Sequence, residues 1–139
     1  MKKLDLRRKN ILVTGGSGFI GFHLVSKLLK MANDVTIIDL VNPFEAYIKK
    51  TNKLSFIKGD LTKTDIFDTL ETKSFDCIFH LASGASVPNA VKNPENDFFS
   101  TAYATLKILE YSRKTNVEKF IYLSTVSIFD TKNKMPINE

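Results

Sequence analysis

The feature that most restricts how this chain can fold is a glycine-rich segment near its beginning. Residues 15–21 read GGSGFIG, follow a short apolar run at residues 10–14 and lead into a segment with helical periodicity. A side chain at Gly15 would obstruct the tight turn, one at Gly18 would hold a diphosphate away, and one at Gly21 would push the helix off the sheet. The helix start, with Phe19 and Ile20, offers N–H donors and a positive dipole end to an anion. This order predicts a dinucleotide-binding loop. A nucleoside-triphosphate loop is disfavoured because no Gly-Lys-Ser/Thr follows.

Five short apolar runs alternate with helical segments along the chain, which predicts an α/β domain with a parallel sheet. The strands are expected at residues 10–14, 35–40, 54–58, 76–81 and 119–124, and their near-continuous apolar character predicts burial on both faces. A helix is expected at residues 19–31, where Ile20, Leu24, Leu28 and Met31 share one face that should pack on the sheet. A second long helix should begin near Pro94 and end near Asn116. Weaker helical patterns cover residues 43–50 and 63–71.

The composition excludes several classes of protein. A chain of 139 residues with 43% hydrophobic and 25% charged residues is typical of one globular domain, residues 1–139. The single Cys77 and the lack of a His/Cys cluster predict no disulfide and no metal site, and favour the reducing cytoplasm. No apolar stretch has the length of a membrane span or of a secretory signal.

The net charge of +5 is concentrated at the beginning of the chain. Five basic residues against Asp5 give +4 within residues 1–9. A solvated basic terminus is favoured over a phosphate-binding arm, so no nucleic-acid partner is expected.

An acidic residue follows the glycine loop at the distance that a dinucleotide site requires. Asp39 closes the second strand, and a carboxylate there can accept bonds from a ribose diol while repelling a 2′-phosphate. The expected cofactor is therefore NAD rather than NADP. The alternative is an exposed aspartate at a strand end.

With these motifs in place, the chain resembles the extended short-chain dehydrogenase/reductase family, in particular its sugar-nucleotide epimerase and dehydratase branch. The resemblance extends over nearly the whole chain. Its motifs are the TGGxGFIG signature at residues 14–21, Asp39, GDL at 59–61, HLAS at 80–83, Pro94, the helix that contains Thr105, Ser124-Thr125, and PINE at 136–139.

The resemblance implies a Rossmann-type doubly wound parallel sheet and assigns further residues to the NAD site. Asp60 and Leu61 would hold the adenine edge, and Leu81, Ala82 and Ser83 would run beside the pyrophosphate and the nicotinamide ribose; all five follow carboxyl ends of expected strands, where such sheets bind ligands. Asp60 has an alternative as a helix N-cap.

His80 is interpreted differently, as a packed histidine at a strand end.

The catalytic residues implied by the resemblance are only partly present. Thr125, or alternatively Ser124, matches the hydroxyl that bonds the reacting sugar oxygen, and the alternative role of both is to end a strand. The family's Tyr-x-x-x-Lys pair should follow some two dozen residues later, after Glu139. Tyr103 and Lys107 have this spacing but precede the fifth strand, so they are interpreted as a coincidental helix pair.

Three departures from the family pattern accompany the missing pair. Val126-Ser127 stands where dehydratases carry an acid/base pair, Phe129-Asp130 stands where the family has Tyr-Gly, and Thr101 replaces an Asn in the long helix. The first argues against a 4,6-dehydratase, since elimination of water needs titratable groups.

Two functional hypotheses follow. The first is the NAD-binding part of a sugar-nucleotide epimerase-like oxidoreductase, similar to UDP-glucose 4-epimerase, that ends before the last strands and the substrate domain and is inactive alone. The second is a non-catalytic NAD-binding sensor or assembly module. A nucleotide sugar would bind only if the missing part were supplied, and the exposed strand at 119–124 invites self-association.

Overall fold

The computed structural model describes residues 5–42, 51–84 and 86–125. The helix expected at 43–50 and the motifs at 126–127, 129–130 and 136–139 lie outside these residues. The strands are β1 (Asn10–Thr14), β2 (Asp34–Asp39), β3 (Leu54–Lys58), β4 (Cys77–His80) and β5 (Lys119–Tyr122). The helices are α1 (Phe19–Lys30), α2 (Asp65–Glu71), α3 (Val87–Lys92), α4 (Pro94–Phe98) and α5 (Ala104–Lys114), with a π-helical segment, Phe99–Tyr103, between the last two.

All five strands are parallel and lie in the order β3-β2-β1-β4-β5. β2 and β3 lie on one side of β1, and β4 and β5 lie on the other side. The connection that follows β1 and the one that follows β4 therefore lead in opposite directions along the sheet. A crevice opens at the carboxyl ends of the strands at such a reversal. This order confirms the expected doubly wound, Rossmann-like α/β fold.

Helices cover both faces of the sheet and bury two separate cores. Alternate residues of β1 point to opposite faces: Ile11 and Val13 pack with Val25 and Leu28 of α1, whereas Leu12 packs on the side of α2 and α5. The central strands are therefore mostly buried on both faces. The edge strands β3 and β5 are only partly buried, so the expectation of burial on both faces was wrong for them, because each has a neighbour on one side only among the described residues.

The buried face of α1 differs from the expected one by a rotation about the helix axis. The buried residues are Gly21, Val25 and Leu28, whereas Ile20 is 53% exposed. The cause is Gly21, which lies directly under the glycine loop and so fixes which side of the helix faces the sheet.

The long helix expected after Pro94 is present but interrupted by the π-helical segment. Pro94 occupies its first turn, and Asn116, with φ of 54°, stands in the left-handed conformation just past its end. The separate helix α3 was not expected from the sequence.

The basic beginning of the chain is partly paired with acidic groups. Lys9 Nζ lies 3.6 Å from carboxylate oxygens of Asp76 and of Glu118, while Arg7 and Arg8 are exposed. Among the described residues no helix combines the length and apolar character needed to traverse a bilayer.

Candidate functional site

A cleft of about 300 Å³ opens at the carboxyl ends of β1 to β4. Its lining comes from the glycine loop, the ends of β2 and β3, the segment after β4 and the helices packed behind it. Eight residues singled out from the sequence line it: Gly15, Gly18, Asp39, Asp60, Leu61, Leu81, Ala82 and Ser83. Residues separated by almost 70 positions thus meet at one site.

Two of the glycines are required by the packing of the loop. Gly15 has φ of +70°, and a Cβ there would lie 2.7 Å from the backbone nitrogen of Ala82. A Cβ on Gly21 would lie 2.6 Å from the Cα of Gly16 and would collide with the carbonyl oxygen of Gly15. Gly21 therefore lets the helix approach the loop itself, rather than the sheet as expected.

Gly18 has a different environment from the other two. It has an ordinary φ of −72° and is the N-cap of α1, with no side-chain hydrogen bond capping the helix. A Cβ at Gly18 would meet only the Gly15 carbonyl oxygen, at 3.4 Å. Phe19 and Ile20 form the first turn and are 82% and 53% exposed. The first N–H groups of a helix lack intrahelical acceptors, so this turn can bind an anion.

Asp39 connects the end of β2 to the glycine loop. Its Oδ2 accepts a hydrogen bond of 2.9 Å from the N–H of Ser17, and its Oδ1 accepts one of 3.3 Å from the N–H of Val41. The residue is half-buried and lines the cleft. It is therefore a hydrogen-bonded part of the site, unlike the exposed strand-end aspartate that was its alternative.

Asp60 stabilises the turn after β3. Its Oδ1 accepts a hydrogen bond of 2.9 Å from the N–H of Thr62, and the N-cap of α2 is Thr64. The alternative role of Asp60 as the N-cap of that helix was wrong. Leu61 beside it is buried in the core on the α2 side.

His80, at the end of β4, is fully buried, as its interpretation as a packed histidine requires. Burial lowers the pKa of its imidazole to about 4, so the ring is neutral at pH 7. Its two nitrogens contact the hydroxyls of Thr14 and Thr105, at 2.6 and 3.0 Å. The sequence analysis did not find these contacts, although hydroxyl residues next to the strand-end motifs were a signal.

The two catalytic candidates lie past the end of β5, at the same edge of the sheet as the cleft. The N–H of Leu123 donates to the carbonyl oxygen of His80 at 3.2 Å, so Ser124 and Thr125 continue alongside the segment after β4. Both are exposed, and the strand ends before them at Tyr122.

Tyr103 and Lys107 do not line the cleft. Tyr103 makes an edge contact with the ring of Phe99, and Lys107 Nζ lies 5.2 Å from the ring centroid of Phe67. These surroundings agree with a coincidental helix pair.

The family model that matches this chain, over residues 11–139, describes the NAD-dependent epimerase/dehydratase family. An epimerase structure from Methanothermobacter thermautotrophicus is 32% identical, with a TM-score of 0.88, over 96% of this chain and 40% of that one. The UDP-N-acetylglucosamine 4-epimerase from Methanobrevibacter ruminantium is 36% identical, with a TM-score of 0.85, over 96% and 43%. A bifunctional UDP-glucose and UDP-xylose 4-epimerase of Pisum sativum is 32% identical over 94% and 41%.

These similarities fix the family and the extent of the match. The chain spans about two fifths of the length of the relatives named above. The family model covers nearly all of it, including the glycine loop and the ends of all five strands. On these grounds, the chain is a member of the NAD-dependent epimerase/dehydratase family.

Proposed function

We propose that this chain is the NAD-binding part of a UDP-sugar 4-epimerase of the extended short-chain dehydrogenase/reductase type. The observation that carries the proposal is the cleft itself, which joins a helix start without a side-chain cap, at Gly18, to the carboxylate of Asp39 at the end of the next strand. Two relatives more than 30% identical act, by their names, on UDP-sugars at carbon 4, which supports this substrate class.

The residues present fit a dinucleotide diphosphate. The N-terminal turn of α1 has no side-chain cap, and Gly18 places no Cβ between that turn and the cleft. Backbone N–H groups and the helix dipole at such a turn stabilise a negative charge. Gly18, Phe19 and Ile20 would therefore bind the diphosphate through backbone N–H groups, while Gly15 and Gly21 allow the loop to fold.

The remaining lining residues would hold the two nucleosides. Asp39 would accept hydrogen bonds from the adenosine ribose, since two oxygens with two acceptor sites each exceed the two N–H groups that they bind within the protein. Asp60 and Leu61 would border the adenine. Leu81, Ala82 and Ser83 would border the diphosphate and the nicotinamide ribose.

When bound, NAD supplies reversible hydride transfer at a sugar carbon, and the protein supplies position and electrostatics. Thr125, with Ser124 as the alternative, would orient the reacting sugar oxygen, because a hydroxyl can both donate and accept a hydrogen bond. His80 cannot serve as the base at neutral pH because its ring is buried and bonded on both nitrogens.

We further propose that the 139-residue polypeptide binds NAD without turning over a UDP-hexose. Its one Tyr-x-x-x-Lys pair, Tyr103 and Lys107, contacts Phe99 and Phe67 instead of the cleft. Cys77 is the single cysteine of the chain and lies buried in β4, and we expect the reducing cytoplasm as its compartment.

The experiment is a calorimetric titration of the 139-residue chain with NAD, together with a coupled assay for UDP-glucose epimerisation. We expect saturable binding of NAD and no turnover. Absence of binding at millimolar NAD by a folded protein would contradict the site, and measurable epimerisation would contradict the claim of inactivity.

A further inference from the structure

We infer that His80 is a positioning residue for the NAD cleft: with Thr14, Thr101 and Thr105 it fixes the wall segment, residues 81–84, between β1 and the π-helical segment. These four side chains form the His80 network. The inference rests on the proposed NAD site, because residues 81–83 of the wall segment line that cleft.

The hydrogen-bond directions within the His80 network follow from the single hydroxyl proton of Thr105. The Thr105 hydroxyl has a single proton, which it donates to the carbonyl oxygen of Thr101 at 2.6 Å. Towards His80 Nε2, at 3.0 Å, the same oxygen must therefore accept. Nε2 thus carries the ring proton, and in the neutral ring Nδ1 is an acceptor.

The assignment at Nε2 also fixes the hydrogen bonds on the Nδ1 side of the ring. Because Nδ1 accepts, the Thr14 hydroxyl donates to it across 2.6 Å. The lone pairs of that hydroxyl remain available, and the N–H of Ala82 donates to them at 3.3 Å. The hydrogen bonds thus form one chain in which each group donates to the next, from the N–H of Ala82 through Thr14, His80 and Thr105 to the carbonyl oxygen of Thr101. Each polar atom in this chain has a hydrogen-bond partner.

The wall segment is consequently held at two points. The N–H of Ala82 is bound by Thr14 at the end of β1, and the N–H of Gly84 is bound by the Thr101 hydroxyl at 2.9 Å. His80 joins these two anchors, since one of its nitrogens meets Thr14 and the other meets Thr105, which is bonded to Thr101. A histidine at this position connects one β-strand to one helix across the start of the wall.

The position of the wall decides the fit of the cofactor. The glycine loop and the wall approach closely, since a Cβ on Gly15 would lie 2.7 Å from the Ala82 nitrogen. A movement of the wall by about 1 Å would thus change the width of the cleft or disturb the loop, and misplacement of that size has large effects at binding and catalytic sites.

The test uses H80F, T105V and T105S, with I78V as the control. H80F removes the hydrogen bonds of both imidazole nitrogens. T105V removes only the hydrogen bond at Nε2, and T105S keeps a hydroxyl that can form it. Ile78 lies on the same strand, and I78V removes a buried methylene without touching a hydrogen bond. Three quantities are measured: the imidazole nitrogen shifts of NAD-free protein by NMR, amide exchange of Ala82 and Gly84, and the NAD dissociation constant by calorimetry.

We expect the Nε2-protonated ring in the wild type, and exchange of the Ala82 and Gly84 amides at least about tenfold faster in T105V, with wild-type rates in T105S and I78V. The NAD dissociation constant should rise at least about tenfold in H80F and severalfold in T105V, and return to the wild-type value in T105S. A protonated Nδ1, or a folded T105V with unchanged wall exchange and unchanged NAD affinity, would overturn the inference.

The outcomes also separate this inference from the proposed function. If wild-type protein does not bind NAD, the proposed function and the cofactor part of this inference both fail, whereas the NMR readouts still decide whether the network fixes the wall. If H80F does not fold, the T105V and T105S pair decides the inference alone.

Discussion

At the scale of single residues, G18A and G15A are expected to affect different properties. G18A should weaken NAD binding with little change in stability, whereas G15A should lower the stability of the fold. In G18A the new methyl meets only one carbonyl oxygen at an ordinary 3.4 Å, so the free energy of unfolding should change by less than about 0.5 kcal/mol. The methyl would occupy the position that we propose for the diphosphate, so the NAD dissociation constant should rise at least about tenfold, which is about 1.4 kcal/mol.

G15A is the matched comparison for G18A. Its positive φ and its contact with Ala82 should lower the free energy of unfolding by about 1–3 kcal/mol. Urea unfolding and calorimetry measure both effects. A G18A protein that binds NAD like the wild type would show that the diphosphate does not lie against this turn.

Asp39 is expected to decide between NAD and NADP. Its charge repels a 2′-phosphate, so the wild type should bind NAD at least about tenfold more tightly than NADP, a difference of about 1.4 kcal/mol. D39N should reduce this preference severalfold, because the amide keeps an acceptor for the N–H of Ser17 but loses the charge.

D60N is the control for D39N, since it removes the same charge from the neighbouring strand end. It should change the affinities for NAD and NADP by similar factors. An equal loss of the NAD/NADP preference in both variants would assign the preference to the total charge of the cleft rather than to Asp39.

His80 should make the protein less stable in acid. Burial lowers its folded-state pKa from 6.5 to about 4, so between these values the unfolded chain binds a proton that the folded protein does not. Stability then rises with pH in this window, and up to about 3 kcal/mol is lost on going from pH 6.5 to pH 4. H80N, which cannot titrate, should show a shallower pH dependence in urea unfolding over that range. Parallel curves for the two proteins would contradict this prediction.

The sequence predicted the local parts of the site better than the distant ones. The glycine loop and Asp39 could be identified because a turn, a helix start and a strand end each have a local signature. The contact of His80 with Thr105 depends on how the helix after the π-helical segment is rotated against β4, and no periodicity in the sequence encodes that rotation. The N-cap alternative for Asp60 was wrong for a related reason, since helix α2 begins at Asp65, later than expected.

At the scale of elements, the rotation of α1 can be tested by truncating its two candidate faces. Val25 is fully buried against the sheet, so V25A should lower the free energy of unfolding by about 2 kcal/mol. Ile20 is half-exposed, and I20A should cost less than about 0.5 kcal/mol. Thermal and urea unfolding give both values, and the reverse order would restore the helix face expected from the sequence.

The strands could be placed within two residues from their apolar runs, whereas α1 could not be oriented. A buried parallel strand is apolar on both faces, so its position does not depend on choosing a face. For an amphipathic helix the buried face must also be predicted. In α1 that face is set by the close packing of Gly21 under the glycine loop, and a glycine contributes no apolar side chain to the periodicity. The π-helical segment and α3 likewise carry no apolar periodicity that separates them from their surroundings.

At the scale of the whole molecule, the outer side of β5 predicts self-association of the 139-residue chain. No strand within residues 5–42, 51–84 and 86–125 pairs with that side. The N–H groups of Lys119 and Leu123 donate to Asp76 and His80, so by alternation the N–H of Tyr122 points outwards. Tyr122 and Leu123 are both nearly half-exposed. An unpaired, partly apolar edge of this kind recruits strands from other molecules.

Y122P and Y122A separate the two contributions of this residue. Proline removes the outward N–H without breaking a bond to β4, and prolines on edge strands prevent pairing. Alanine removes the ring, which stacks on His80 at 5.8 Å, but keeps the N–H. Light scattering over a concentration series should show oligomers for the wild type and Y122A, and monomers for Y122P. A monomeric wild type would show that the edge is not a site of association, and oligomers in Y122P would assign association to another surface.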